Sequence, residues 1–374
     1  MQLFVCQSCG ARLYFENRFC QSCNHSLGYL PDADVLMALV RPAESNDTGD
    51  GVSGLWQPLV APERRMRFCV NARYDACNWL VPANGDATEA EPFCKACRFN
   101  RIVPDLNDAT NLARWRKIET AKHWLIYTLS RLGLPMPDRK QDPAHGLAFD
   151  FLSPLDDKPP PLTGHDEGVI VLNVEEAEDA IRESNRAAMG EPYRTLLGHF
   201  RHEIGHFYWD ILVRDADNSD PDKPNSGKLD ACRAIFGDDR EDYAAALERH
   251  YAEGAPPDWQ NHFISAYASS HPWEDFAETW AHYLHIVDTI ETATAYGLRV
   301  RPPGTAAGTA PLTSDFDPYR APSIEDMIEV WLPLSFAMNS LARSMGQPDL
   351  YPFILSPPVI DKLGFIHNLV KPRG

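Results

Sequence analysis

The 374-residue sequence predicts an α+β protein, with a β-rich N-terminal region organised by cysteines and then a mostly helical domain carrying a small sheet. Three observations carry this expectation. Eight of the nine cysteines fall within residues 1–105. Two short apolar runs, 147–152 and 168–173, read as strands divided by a proline-rich loop. Most of the remaining chain shows apolar residues recurring every three or four positions, the period of a helix with one buried face.

The N-terminal cysteines come in two sets. Cys6-x2-Cys9 and Cys20-x2-Cys23 are two tight knuckles, which supply four thiolates for a tetrahedral structural zinc. Tyr14, Phe15 and Phe19 between them suit the short strands of a zinc ribbon. The second set is Cys69, Cys77, Cys94 and Cys97, of which only the last two form a tight knuckle. It predicts a second structural zinc. Metal can replace a core that so short a segment cannot build. Residues 41–58 read as a loop.

A long helix is expected from about Asn111 to Leu132, with Leu112, Trp115, Ile118, Leu125 and Leu129 as its stripe and Gly133 and Pro135 as its stop. His123 and Trp124 lie within it and read as core or surface residues. The strands 147–152 and 168–173 follow. A strand shortly before the histidine-bearing helix of Tyr193 to Val213 could hold an extended peptide along an exposed edge. Residues 174–189 are charged and read as helical.

From Tyr193 to Val213 the pattern is helical again, and it contains His202-Glu203-x-x-His206. Positions four apart lie on one helix face, so His202 and His206 can bind one zinc together. Glu203 beside them can deprotonate a water activated there. A solvated acidic loop is expected over 215–228, lacking the spacing of a calcium hand. Cys232, the lone cysteine, reads as a small core residue. A helix is expected from about Asp239 to Glu253.

Pro272 suits the first turn of the next helix. Glu274, Ala277, Glu278, Ala281, His282 and His285 share one face, and small alanines there allow a second helix to approach closely. A catalytic zinc needs three protein ligands and one open position. No histidine follows soon after His206, so the third ligand is expected from this face, as Glu274 or Glu278. A loop over 302–322, a helix from Ser323 to about Met345 and a terminal helical segment, 357–369, complete the chain. His199, His271, His282 and His285 read as packing residues, with His282 the best placed for a site role.

These blocks resemble the bacterial family of zinc-binding metallopeptidases with an N-terminal zinc ribbon. The residues that carry the resemblance are the Cys6–Cys23 knuckles, Cys94 to Leu106, Gly198 to Trp209 and His271 to His285. The segment Tyr267 to Glu278 is also similar to the second motif of anthrax lethal factor and the Mlc titration factor peptidase, which are gluzincins. In those a ligand glutamate opens a Glu-x-Phe-Ala block, matched here by Glu274-Asp275-Phe276-Ala277, and a tyrosine stands seven residues earlier, matched by Tyr267. The resemblance implies a gluzincin-like catalytic domain over 106–374 after a zinc-ribbon region over 1–105. It implies Glu274 as third ligand, Glu278 as hydrogen-bond partner of a ligand histidine, Glu203 as general base and Tyr267 as oxyanion donor. The implied cofactors are one catalytic and two structural zinc ions.

The net charge of −18, from 53 acidic against 35 basic residues, argues against nucleic acid and membrane surfaces as partners. No stretch is apolar enough to span a bilayer, and Met1–Cys6 lacks the basic and apolar regions of a signal peptide, so a cytoplasmic location is expected. Thiols stay reduced there, which favours metal over disulfides. The expected partner is a peptide or protein substrate, with a regulatory protein on the ribbons as a further expectation. The competing readings are a non-catalytic ribbon protein that binds a partner, and a zinc hydrolase of non-peptide amides.

Overall fold

In a computed structural model, residues 2–42, 54–83, 92–154, 163–189, 193–215, 227–300 and 316–371 are described, together with 161 and 191. The loop expectations for 41–58, 215–228 and 302–322, and the proline-rich loop before residue 161, fall mostly outside them. The chain is α+β, with its strands concentrated at the N-terminal end and its helices beyond. It divides into two compact units, residues 1–127, 136–163 and 171–178 against 128–135, 164–170 and 179–374.

The first unit is built from short strands. β1 (Phe4–Val5) and β2 (Arg12–Leu13) are an antiparallel pair. The turn between them passes Gly10, whose φ of +74° is costly for any residue with a Cβ. β3 (Ser26–Leu30), β4 (Val35–Val40) and β5 (Gln57–Pro58) form an antiparallel sheet, and β6 (Met66–Phe68) pairs with β7 (Leu80–Pro82). Leu30, Met37, Leu39, Trp56, Met66 and Leu80 make a small core between them. β8 (Asn100–Ile102), a strand the sequence did not mark, lies parallel to β9 (Ala148–Leu152), which matches the strand expected over 147–152. The helix α1 (Ala109–Arg131) starts where the Asp108 side chain accepts the Asn111 amide. Its first part buries Trp115, Ile118, Leu125 and Ile126 in this unit.

A four-stranded sheet has the order β10-β11-β9-β8, with β10 (Gly164–Asp166) at one edge and β11 (Val169–Asn173) beside it. β10 was not visible in the sequence, because Gly-His-Asp carries no strand pattern. The expected helix over 174–189 is instead a short 3-10 turn, Val174–Ala177, followed by α2 (Asp179–Met189).

The second unit is helical: α3 (Leu196–Trp209), α4 (Lys228–Phe236), α5 (Tyr243–Glu253), α6 (Pro272–Ala295), α7 (Ile324–Ser344) and α8 (Pro357–Val370). α3 begins at Thr195, whose hydroxyl accepts the Gly198 amide, and ends in one wider π-helical turn, Asp210–Arg214. α4 is an addition to the sequence reading, bracketed by Gly227 and Gly237 at positive φ. α5 begins four residues later than expected, because Asp242 caps it through the Ala245 amide. α6 is apolar or buried on nearly every side, as suits a central helix.

Candidate metal centre

The site is made where α3 meets α6. Gly205, one of the two wildcard positions of the His-Glu-x-x-His motif, decides how closely. A Cβ there would stand 3.0 Å from the Ala277 Cα and 3.1 Å from the Trp280 Cβ. Glycine on one helix and alanine on the other therefore let the backbones touch, and Glu274 on α6 arrives beside the histidines of α3.

His202, His206 and Glu274 converge. The two Nε2 atoms are 3.2 Å apart, and Glu274 Oε2 is 3.0 Å from His202 Nε2 and 3.6 Å from His206 Nε2. Nitrogen and oxygen ligands about 2.1 Å from a tetrahedral zinc stand about 3.4 Å from each other. The spacing fits that ion. Glu274 Oε2 is buried and has no hydrogen-bond partner among the described residues, an orphan that a cation would satisfy.

The other atoms of these side chains are held. Glu274 Oε1 accepts the Tyr243 hydroxyl at 2.7 Å. His202 donates its Nδ1–H to Glu278 Oε1 at 2.7 Å, which leaves Nε2 with its lone pair, and Glu278 Oε2 accepts Ser265 Oγ at 2.6 Å. Burial would raise the Glu278 pKa, but the His202 hydrogen bond and charge hold it down at about 2. The His206 ring lies against Trp273, with centroids 3.8 Å apart.

Glu203 is buried beside the pair, and burial raises its carboxyl above the ordinary glutamate range, with Glu274 and Glu278 pushing the same way. Tyr267 stands with its ring centroid 6.0 Å from that of His202. Burial keeps the Tyr267 and Tyr243 hydroxyls protonated, and the Glu274 carboxylate pushes both the same way.

His199, His271, His282 and His285 are packed or capping, as the sequence reading expected. Burial drives His199 down to about 3 and His282 down to about 4, and His282 bonds to the Tyr351 hydroxyl at 2.9 Å. His285 faces Arg201, which is paired with Asp288. His271 caps α6 by accepting the Trp273 amide. Cys232 is a buried thiol pushed up to about 12 by burial. Sequence reasoning missed Tyr243 and His165, which lies on β10 with its ring 6.1 Å from that of His206. The Asp242 cap was the one signal for where α5 starts, and nothing marked what Tyr243 would reach.

The N-terminal cysteines form the two expected groups. Cys6 and Cys23 are 3.6 Å apart, as are Cys9 and Cys20. Cys69, Cys77, Cys94 and Cys97 form the second, with Cys77 and Cys94 3.7 Å apart. Sulfurs on a tetrahedral zinc stand about 3.8 Å apart, so both groups fit a zinc ion.

A family model described as "Putative zinc-binding metallo-peptidase" matches residues 111–369, and a zinc-ribbon domain matches residues 3–108. Proteins of Mycobacterium bovis and of two strains of Mycobacterium tuberculosis, each named as an uncharacterized protein, are 41% identical over 372 residues. The match covers 99% of this chain and 95% of each relative. No solved structure matches the chain. Among the described residues no helix is long and apolar enough to cross a membrane.

Proposed function

Because the chain belongs to the family described as putative zinc-binding metallo-peptidases, with a zinc-ribbon domain at its N-terminal end, we propose that it hydrolyses peptide bonds at the α3–α6 site. The observation that carries the reading is the orphaned Glu274 Oε2 facing two histidine nitrogens at ligand spacing. His202, His206 and Glu274 are the ligands of the catalytic zinc. Zinc, when bound, supplies Lewis acidity to a carbonyl and to water at that point.

The chain's own groups do the rest. Glu203 takes a proton from the attacking water as its oxygen bonds to the carbonyl carbon, and gives that proton to the amine nitrogen as the C–N bond breaks. Its raised pKa suits both halves of that exchange. Tyr267 donates a hydrogen bond to the carbonyl oxygen as charge develops there. Glu278 fixes the tautomer of His202, and Tyr243 fixes the rotation of the Glu274 carboxylate. β10, at a sheet edge and packed on α3, offers backbone groups to an extended substrate. Two cysteine-bound structural zincs and a cytoplasmic setting belong to the same reading, as does a protein partner on the ribbons.

The test is hydrolysis of a peptide library by the full-length, zinc-loaded chain. Glu203→Gln is expected to lower turnover about 10²–10⁴-fold with zinc content unchanged. Cleavage at the wild-type rate by Glu203→Gln sinks the assignment.

A further inference from the structure

The second cysteine group has more donors than one ion uses. Cys69, Cys77, Cys94 and Cys97 are all buried to 4% exposure or less. Two further side chains from α1, Glu119 and His123, point into the same place. They sit one helical turn apart, so both face it. Glu119 Oε2 is 3.4 Å from Cys97 Sγ, and His123 Nε2 is 3.3 Å from Cys77 Sγ and 3.8 Å from Cys97 Sγ.

Their other atoms are already engaged. His123 Nδ1 donates to the Glu119 carbonyl at 2.6 Å, so its Nε2 presents a lone pair to the sulfurs. Glu119 Oε1 accepts from Lys122 Nζ at 2.7 Å and from Asn100 Nδ2 at 2.9 Å. Among the described residues, Oε2 is left with the Cys97 sulfur alone. A zinc held by the four cysteines needs them as thiolates. Then neither Glu119 Oε2 nor His123 Nε2 meets a hydrogen. Acceptor would face acceptor in a fully buried place, an expensive arrangement.

Charge points the same way. Glu119 and Lys122, both without exposed surface, cancel each other. Four thiolates around one divalent ion leave two negative charges uncompensated, and a second divalent ion removes both. The distances suit it, because sulfur with nitrogen or oxygen on a tetrahedral zinc stands about 3.5 Å apart. Mixed sulfur, nitrogen and oxygen donors suit zinc or a similar divalent ion.

We propose that this cluster holds two divalent ions, one among the four cysteines and a second held by Glu119, His123 and the shared, bridging thiolate of Cys97. The second ion ties α1 to the cysteine loops. His123, which the sequence offered only as a core or surface residue, becomes a ligand.

The experiment uses the full-length chain carrying His202→Ala and His206→Ala, so the α3–α6 ion is removed and the result does not depend on the proposed activity. X-ray absorption at the zinc edge is expected to show a zinc–zinc scattering shell, and native mass spectrometry three zinc ions per chain. Adding His123→Gln, with circular dichroism unchanged, is expected to abolish that shell and lower the count by one. If the added variant fails to fold, the parent spectrum still decides. Absence of a zinc–zinc shell in the zinc-saturated parent chain overturns the proposal.

Discussion

The buried cysteine cluster of the first unit and the α3–α6 site of the second are both metal-type donor sets, yet they are built to opposite ends. The cluster uses thiolates from loops, seals all four, and takes hydrogen bonds to sulfur from the backbone amides of Trp79, Cys94 and Cys97. The α3–α6 site uses two imidazoles and a carboxylate from rigid helices. It keeps the His202 side chain 13% exposed and sets an unligated carboxylate, Glu203, beside it. A closed set of soft donors holds a fold together. An open set of harder donors beside a buried carboxylate leaves room for chemistry. The difference shows in what each site would lose if disturbed.

The cluster should fail structurally. Cys94→Ala removes one of four donors from a fully buried cluster that joins the cysteine loops. The first unit is expected to unfold, because the free energy of a structural zinc is of the order of 10 kcal/mol. Thermal melts followed by tryptophan fluorescence would check this, and a native-like melt would erase the contrast. At the α3–α6 site the equivalent sensitivity lies in the backbone contact. Gly205→Ala is expected to cost up to about 3 kcal/mol by overpacking against Ala277 and Trp280. It should also weaken zinc binding, because Glu274 moves with α6. Normal zinc affinity in a folded Gly205→Ala chain would mean the helices can separate without moving the ligand.

The second unit also carries an acid weakness. His282 is buried and neutral, with its pKa lowered by burial to about 4 against an ordinary 6.5. The unfolded chain therefore binds the proton more readily, so stability is complete above about pH 6.5 and falls as pH drops toward 4. At pH 5 this group alone costs about 2 kcal/mol relative to neutral pH. Denaturant melts of wild type and His282→Gln over that range should converge as pH falls. Parallel curves would mean His282 does not titrate with unfolding.

What the sequence made legible follows from what is local. The knuckles, His202, Glu203 and His206 are spaced by turns and helix pitch, and those are short-range facts. The helix bearing Glu274 was legible from its period and from Pro272, and Ala277 already hinted at a close neighbour. The expected ligand choice between Glu274 and Glu278 needed the approach of two helices, which no spacing within one helix can give. His123 and Tyr243 were harder still. Each reaches its partner across tens of residues, His123 to Cys77 and Tyr243 to Glu274, from a helix whose rotation is fixed only by packing. Acidic Gly-His-Asp carried no strand signal, so β10 and its His165 stayed hidden.

Tyr243 gives the finest test of the contrast, because it touches one oxygen of a single ligand carboxylate. Its hydroxyl occupies Glu274 Oε1, so only Oε2 is turned toward the histidines. Tyr243→Phe removes one hydrogen bond and almost no volume, and the phenyl ring can keep its contacts with His271 and Trp273. The fold should therefore stand. The freed carboxylate can rotate, and zinc affinity at the α3–α6 site is expected to fall about ten-fold, the lower end for loss of such a partner. Competition with a chromophoric chelator measures this, with the cysteine-bound zinc as an internal control that should not change. Equal affinity in Tyr243→Phe would show that the packing of α6 alone orients Glu274. Weakening at both sites would show that the substitution acts on the whole fold and not on this carboxylate.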